Sequence, residues 1–199
     1  TIAYTWWLGT EAGNSIADVL FGKVNPGGKL PMTFPRTEGQ IPIYYNHYNT
    51  GRPVNSDKNV FWSHYTDVEK TPLFPFGFGL SYTTFDYKNL KINKASFAKG
   101  EPVVVSVDIT NSGNYDGKEV VQLYIQDVAA SLARPVKELK GFELKKKKKG
   151  ETKTVTFTLT EKELGFYDNA GKYLVDAGTF KLMVGGSSDK GLEGQFELE

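Results

Sequence analysis

The chain has 199 residues, of which 39% are hydrophobic and 14% aromatic. That is enough apolar material for one large domain or two small ones, and it excludes a chain disordered throughout. A net charge of +1, from 24 Lys and Arg against 23 Asp and Glu, argues against a globally basic nucleic-acid binder.

Cysteine is absent and only two histidines are present, His47 and His64. This excludes disulfide frameworks, thiol nucleophiles and cysteine-bound zinc, and leaves too few ligands for a multi-histidine metal site. No cofactor or metal is therefore expected. No apolar run approaches the roughly 20 residues that cross a bilayer, so no membrane partner is expected either. The opening run Thr1-Ile2-Ala3-Tyr4-Thr5-Trp6-Trp7 reads as a core strand rather than a leader, and points to a piece of a longer chain.

Three stretches follow in order: residues 1–35, an extended connector over 36–85, and a β-rich domain over 86–199. Residues 2–7 predict a strand. Ala12, Ile16, Val19 and Leu20 fall on one face of a helix, with Thr10 as its cap and Gly22 as its stop. Residues 25–28, Asn-Pro-Gly-Gly, mark a turn. Residues 29–35 predict an edge strand, because Pro31 and Pro35 cannot donate to a ladder. A strand, a helix and a strand in that order form the last unit of an α/β layer, and one such unit leaves most of its apolar surface uncovered.

The connector has no clear period. Residues 1–85 carry 16 of the 27 aromatics and seven of the nine prolines. Rings of this kind cost roughly 1.5–3 kcal/mol each to leave in water, so they predict packing on another surface.

The last stretch alternates with period two. Val103, Val105, Val107 and Ile109 form one run; Val121, Leu123 and Ile125 another; Val155, Phe157 and Leu159 a third; Phe180, Leu182 and Val184 a fourth. About seven strands of this spacing predict an immunoglobulin-like or fibronectin-like sandwich. The fold class is therefore mainly β, a sandwich preceded by a strand–helix–strand unit and a long connector.

Six collinear blocks carry a resemblance. Residues 6–22 resemble the W-F-P-G-x-E-G-G-x-A-I-A-D-V-L-F-G block of glycoside hydrolase family three. Residues 25–35 are similar to its N-P-S-G-K-L-P-x-T-F-P block, and residues 76–83 to its F-G-x-G-L-S-Y-T linker. Residues 119–124, 134–142 and 166–168 resemble motifs of its C-terminal fibronectin-like domain. The departures are mild at Leu8, where the family usually has Pro, and at Ala12, where it often has Gly. The larger one is Lys145 to Lys149, where the family usually has an alternating strand with an apolar residue near Lys147. Five consecutive lysines predict a repelled, frayed strand.

The resemblance implies a parent of three parts: a barrel with an Asp nucleophile, an α/β sandwich domain with a Glu acid/base, and a fibronectin-like domain. Its chemistry is retaining hydrolysis of a β-glycosidic bond, which needs two carboxylates roughly 5 Å apart. Both lie upstream of the first block found here. This chain is thus expected to carry no catalytic residue and to be inactive alone.

Other candidate sites each have a competing explanation. Trp6 and Trp7 can stack on a sugar face or pack at a domain interface. Glu11 can approach a sugar pocket or favour the positive end of a helix. Tyr44, Tyr45, Asn46, His47, Tyr48 and Arg52 combine polar groups with aromatic platforms, as a sugar rim does, or form a packed connector. Residues 145–149 lack aromatic interleaving, so a solvated loop is favoured over a nucleic-acid patch.

The leading expectation is an architectural portion of a β-glucosidase-like hydrolase, with the rest of that hydrolase as partner and a periplasmic or secreted location implied by the family. The alternatives are a glycan-binding module, marked by exposed aromatics such as Tyr115, Tyr124 and Tyr173, and a module through which the parent forms a homodimer.

Overall fold

The computed structural model describes residues 2–52 and 63–199. Helix α1 spans Ala12–Leu20. The strands are β1 (Phe85–Ile92), β2 (Ser96–Phe97), β3 (Val103–Asn111), β4 (Gly117–Asp127), β5 (Glu138–Lys147), β6 (Thr152–Leu159), β7 (Phe166–Tyr167), β8 (Tyr173–Leu174), β9 (Gly178–Gly185) and β10 (Leu192–Leu198). A one-turn helix, α2 (Glu161–Leu164), follows β6 and starts at a capping box between Thr160 and Glu163.

Two sheets face one another. One has the order β1-β3-β6 and the other β2-β10-β9-β4-β5, while β7 and β8 form a separate hairpin. Every second residue of β3, from Val103 to Ile109, has no exposed surface. These residues share one core with Val121, Leu123 and Ile125 of β4, Val155 of β6, Phe180 and Val184 of β9 and Phe196 of β10. Period-two alternation is what places them all on the inner faces. The predicted sandwich is therefore present, and β2, only two residues long, had no period to reveal it.

The first 35 residues depart from expectation in three ways. Residues 2–7 form no strand, since a strand is defined by a hydrogen-bonded neighbour and none is present among the described residues. Thr10 is not the helix cap; Glu11 occupies that position without a side-chain cap bond. Among the described residues, 29–35 make backbone bonds at Leu30 and Phe34 alone, Leu30 with Gly77 and Phe78 and Phe34 with Leu73 and Phe74, and Phe34 forms a single bridge. The prolines at 31 and 35 interrupt the ladder more than an edge strand requires. Helix α1 itself ends as predicted at Gly22, which takes φ 75°. None of its residues is buried, and Leu20 and Phe21 are 66% and 88% exposed.

The connector is held by its own polar core. Gln40 is fully buried; it accepts from the Arg36 amide at 2.6 Å and donates to the Glu69 carbonyl at 2.7 Å.

The lysine run also departs from expectation. Strand β5 continues to Lys147, which pairs with Gly117 and is 2% exposed. Alternation keeps Lys146 out in solvent and turns Lys147 inward, and Glu143 takes up Lys145 at 3.0 Å. Interleaving the charges on two sides of the strand removes much of the expected repulsion.

Candidate functional site

The outer face of the five-stranded sheet is where the parts of the chain meet. Along β4 the core residues alternate with Val120, Gln122 and Tyr124, which point the other way. Gln122 and Tyr124 are nevertheless buried, because the connector covers them. The Gln122 amide donates to the carbonyl of Gly186 at 2.6 Å and to that of Gly77 at 3.4 Å, and its oxygen accepts from the Tyr124 hydroxyl. Burial, with Tyr45 nearby, pushes the Tyr124 hydroxyl's pKa well above its ordinary range, so it acts here as a neutral donor.

Beside this cluster, Lys29 reaches across from the N-terminal part to Glu119 at 3.2 Å, with both side chains largely buried. Tyr87 donates to the same carboxylate at 2.8 Å. Burial, then the Glu119 charge, raises the Tyr87 pKa strongly. An acid enclosed by a lysine and a tyrosine is a structural fastener, since its remaining lone pairs are taken up.

The predicted rim residues divide. Tyr45 stacks on Phe76 at 4.4 Å, meets Tyr124 edge-on at 5.7 Å and accepts from the Leu139 amide at 3.4 Å. It is an anchor for the connector. Around it Tyr44, Asn46, His47, Tyr48 and Arg52 are exposed. His47 Nδ1 lies 2.9 Å from the Tyr48 carbonyl, and the His47 carbonyl accepts from the Val136 amide at 2.9 Å. Tyr48 bridges Pro135, so the loop is held against the start of β5.

No hydrogen bond, ion pair or ring contact joins Trp6, Trp7 or Glu11 to that loop among the described residues. Trp6 takes φ 51° and packs edge-on against Tyr4 at 4.5 Å. Tyr4 meets Phe34, which meets Phe74, which stacks on Phe78. Trp7 is 95% exposed. Glu11 accepts from the Asn14 amide at 2.6 Å, so it is tied to the start of α1.

A groove of about 460 Å³ runs along the outer face over β4, β9 and β10, lined in part by Tyr124, Lys137, Lys181 and Met183, with Glu193 as its single acid. One carboxylate does not make a retaining pair. Lys137 donates to the Ser188 carbonyl at 2.6 Å, and burial lowers its pKa. The expected row of exposed aromatics is also broken, because Tyr124 is fully buried. Among the described residues no three His, Asp or Glu side chains gather as a metal site, and no helix is long and apolar enough to cross a membrane.

Glu119, Lys29, Gln40 and Gln122 fasten the parts together, and the last three had no periodic signal. Lys29, Glu119 and Gln122 lie in blocks quoted for the resemblance; Glu119 also shares the inward parity of Val121 and Leu123, but its charge masks that signal.

Comparison with known proteins assigns the two parts separately. Residues 1–82 match the model of the glycosyl hydrolase family 3 C-terminal domain, and residues 119–188 match that of the fibronectin type III-like domain. The chain is similar to the C-terminal portion of glycoside hydrolase family 3 enzymes. It is 49% identical over 198 residues to a periplasmic beta-glucosidase of Salmonella typhimurium, covering 99% of this chain and 26% of that protein. It is 43% identical over 186 residues to thermostable beta-glucosidase B of Acetivibrio thermocellus, covering 92% and 25%. The crystal structure of beta-glucosidase from Listeria innocua in complex with glucose superposes with a TM-score of 0.92 at 45% identity, over 97% of this chain and 27% of that one. The chain thus spans about a quarter of the length of these relatives.

Proposed function

We propose that the chain is the architectural C-terminal portion of a β-glucosidase-like family 3 enzyme that removes terminal β-glycosidic residues with retention. Its partner is the rest of that enzyme, which supplies both carboxylates. The observation that carries this is coverage: similarity to β-glucosidases along nearly the whole of this chain, over only a quarter of their length. The uncovered apolar side of α1 supports it, since Leu20 and Phe21 need a neighbour to leave water.

In this reading the exposed residues Tyr44, Asn46, His47 and Arg52 stand near the substrate entrance, with Tyr45 anchoring their loop. Trp6, Trp7 and Glu11 face the same body from the N-terminal side. A periplasmic or secreted location is part of this reading, and the name of the Salmonella relative, a periplasmic beta-glucosidase, supports it.

The test is a graft. This chain replaces the corresponding quarter of the Salmonella enzyme, and hydrolysis of an aryl β-glucoside is followed. The graft is expected to turn over substrate, and the 199-residue chain alone is expected to give no inhibitor-sensitive turnover. Turnover by the chain alone, or a folded graft without activity, overturns the proposal.

A further inference from the structure

Strand pairing places Lys118 opposite Lys146, Val120 opposite Leu144 and Gln122 opposite Phe142. All six therefore lie on the outer side of the five-stranded sheet, away from the core. The connector buries Gln122, but Phe142 and Leu144 remain 67% and 54% exposed. Lys118 and Lys146 are exposed, and neither ammonium group has an acidic partner among the described residues. Like charges directly opposite one another destabilise a sheet pair. Two free ammonium groups beside two free apolar side chains call for an acidic group lying over them.

We propose that this side of the β4–β5 edge is a docking face for an acidic surface with an apolar centre, carried by the portion of the polypeptide upstream of α1. The proposal rests on the function proposed above. Three observations select this occupant. The same sheet face is already an interface one strand further in, where the connector covers Gln122 and Tyr124. The C-terminal end of α1 is held beside the patch by the residues that follow it: Asn25 donates to the Asp116 carbonyl at 2.8 Å, and Gly27 lies against Lys118. The relatives are about four times as long, so a large body remains to be placed.

A second copy of this chain is a poorer occupant. A two-fold interface sets each patch against itself. Set against itself, a patch with two lysines and no acid offers neither copy a counter-charge.

The experiment compares amine labelling of Lys118 and Lys146 in the 199-residue chain and in the Salmonella graft, with the exposed Lys162 as an internal reference. Labelling of both lysines in the graft is expected to slow about tenfold or more, a difference the method resolves cleanly, while Lys162 is unchanged. An F142S/L144S graft checks the apolar half by the same readout at Lys118 and Lys146.

An active graft whose Lys118 and Lys146 label as fast as in the chain alone overturns the docking face and leaves the proposed function standing. An inactive graft with both lysines protected does the reverse. Protection that grows with graft concentration assigns the face to a second copy and overturns the proposal.

Discussion

Lys147 shows how one side chain can oppose the strand it sits in. Its residue is 2% exposed and its ammonium nitrogen has no hydrogen-bond partner. Burial lowers its pKa from the ordinary 10.5, and the neighbouring Lys153 adds to that effect. A buried donor left unsatisfied costs about 1–3 kcal/mol, so Lys147→Met is expected to stabilise the chain by that order. Urea unfolding measures it as a higher midpoint at unchanged slope.

The pH dependence has a definite sign. The unfolded chain holds this proton more tightly than the folded one, so the cost is fully present below the lowered folded pKa. It disappears as pH rises toward 10.5. The advantage of the Met variant is expected to shrink over that window, and an advantage that grows with pH contradicts the account.

Gly77 is constrained in the opposite sense. It takes φ 79°, and a Cβ there would collide with the Gln122 amide. Gly77→Ala is expected to cost at least about 1 kcal/mol from backbone strain alone, with the loss visible as a lower melting temperature.

Strands and connector differ in how much of them can be read from sequence. β3, β4, β6 and β9 were legible because one buried face forces period two on eight or more residues. Helix α1 was legible for the equivalent reason at period 3.6. The C-terminal half of β5 was not, because five lysines hide the alternation that the fold imposes on them. Apolar composition alone does not make segments 2–7 and 29–35 strands: residues 2–7 have no backbone partner among the described residues, and in 29–35 Pro31 and Pro35 reduce the pairing to the bonds at Leu30 and Phe34.

In the connector, aromatic density correctly pointed to packing, but nothing in the sequence separates Tyr45, which is turned inward, from Tyr44, which is 58% exposed. Only the stack on Phe76 and the edge contact with Tyr124 distinguish them. This gives a test at the level of the element. Tyr45→Ala removes a partly buried ring and is expected to cost up to about 3 kcal/mol, the low end for deleting a large aromatic. Tyr44→Ala is expected to stay within about 0.5 kcal/mol, as for a surface change. Equal losses in urea unfolding would mean that Tyr45 does not anchor the connector.

For the whole molecule, stability must be uneven. The sandwich encloses residues with no exposed surface on both sheets, whereas α1 has nine residues and buries none of them. A helix that short is marginal in water unless its apolar side is packed. What holds it here is small: the Tyr82 hydroxyl on the Val19 carbonyl at 2.6 Å, the Val24 amide on the Asp18 carbonyl at 2.9 Å, and the exposed Lys23–Asp18 pair at 3.0 Å. The Lys29–Glu119 fastener lies beyond α1 and ties down the following segment rather than the helix.

Native-state hydrogen exchange should therefore resolve two levels in the 199-residue chain. Amides of α1 are expected to exchange through local opening, at free energies near zero. Amides of β3 are expected to exchange near the global limit, of order 5–15 kcal/mol for a domain. In the Salmonella graft, where the proposed upstream body covers Leu20 and Phe21, α1 is expected to gain protection while β3 changes little. If α1 is already as protected as β3 in the chain alone, its exposed apolar side is not a missing interface, and the architectural reading loses its physical basis.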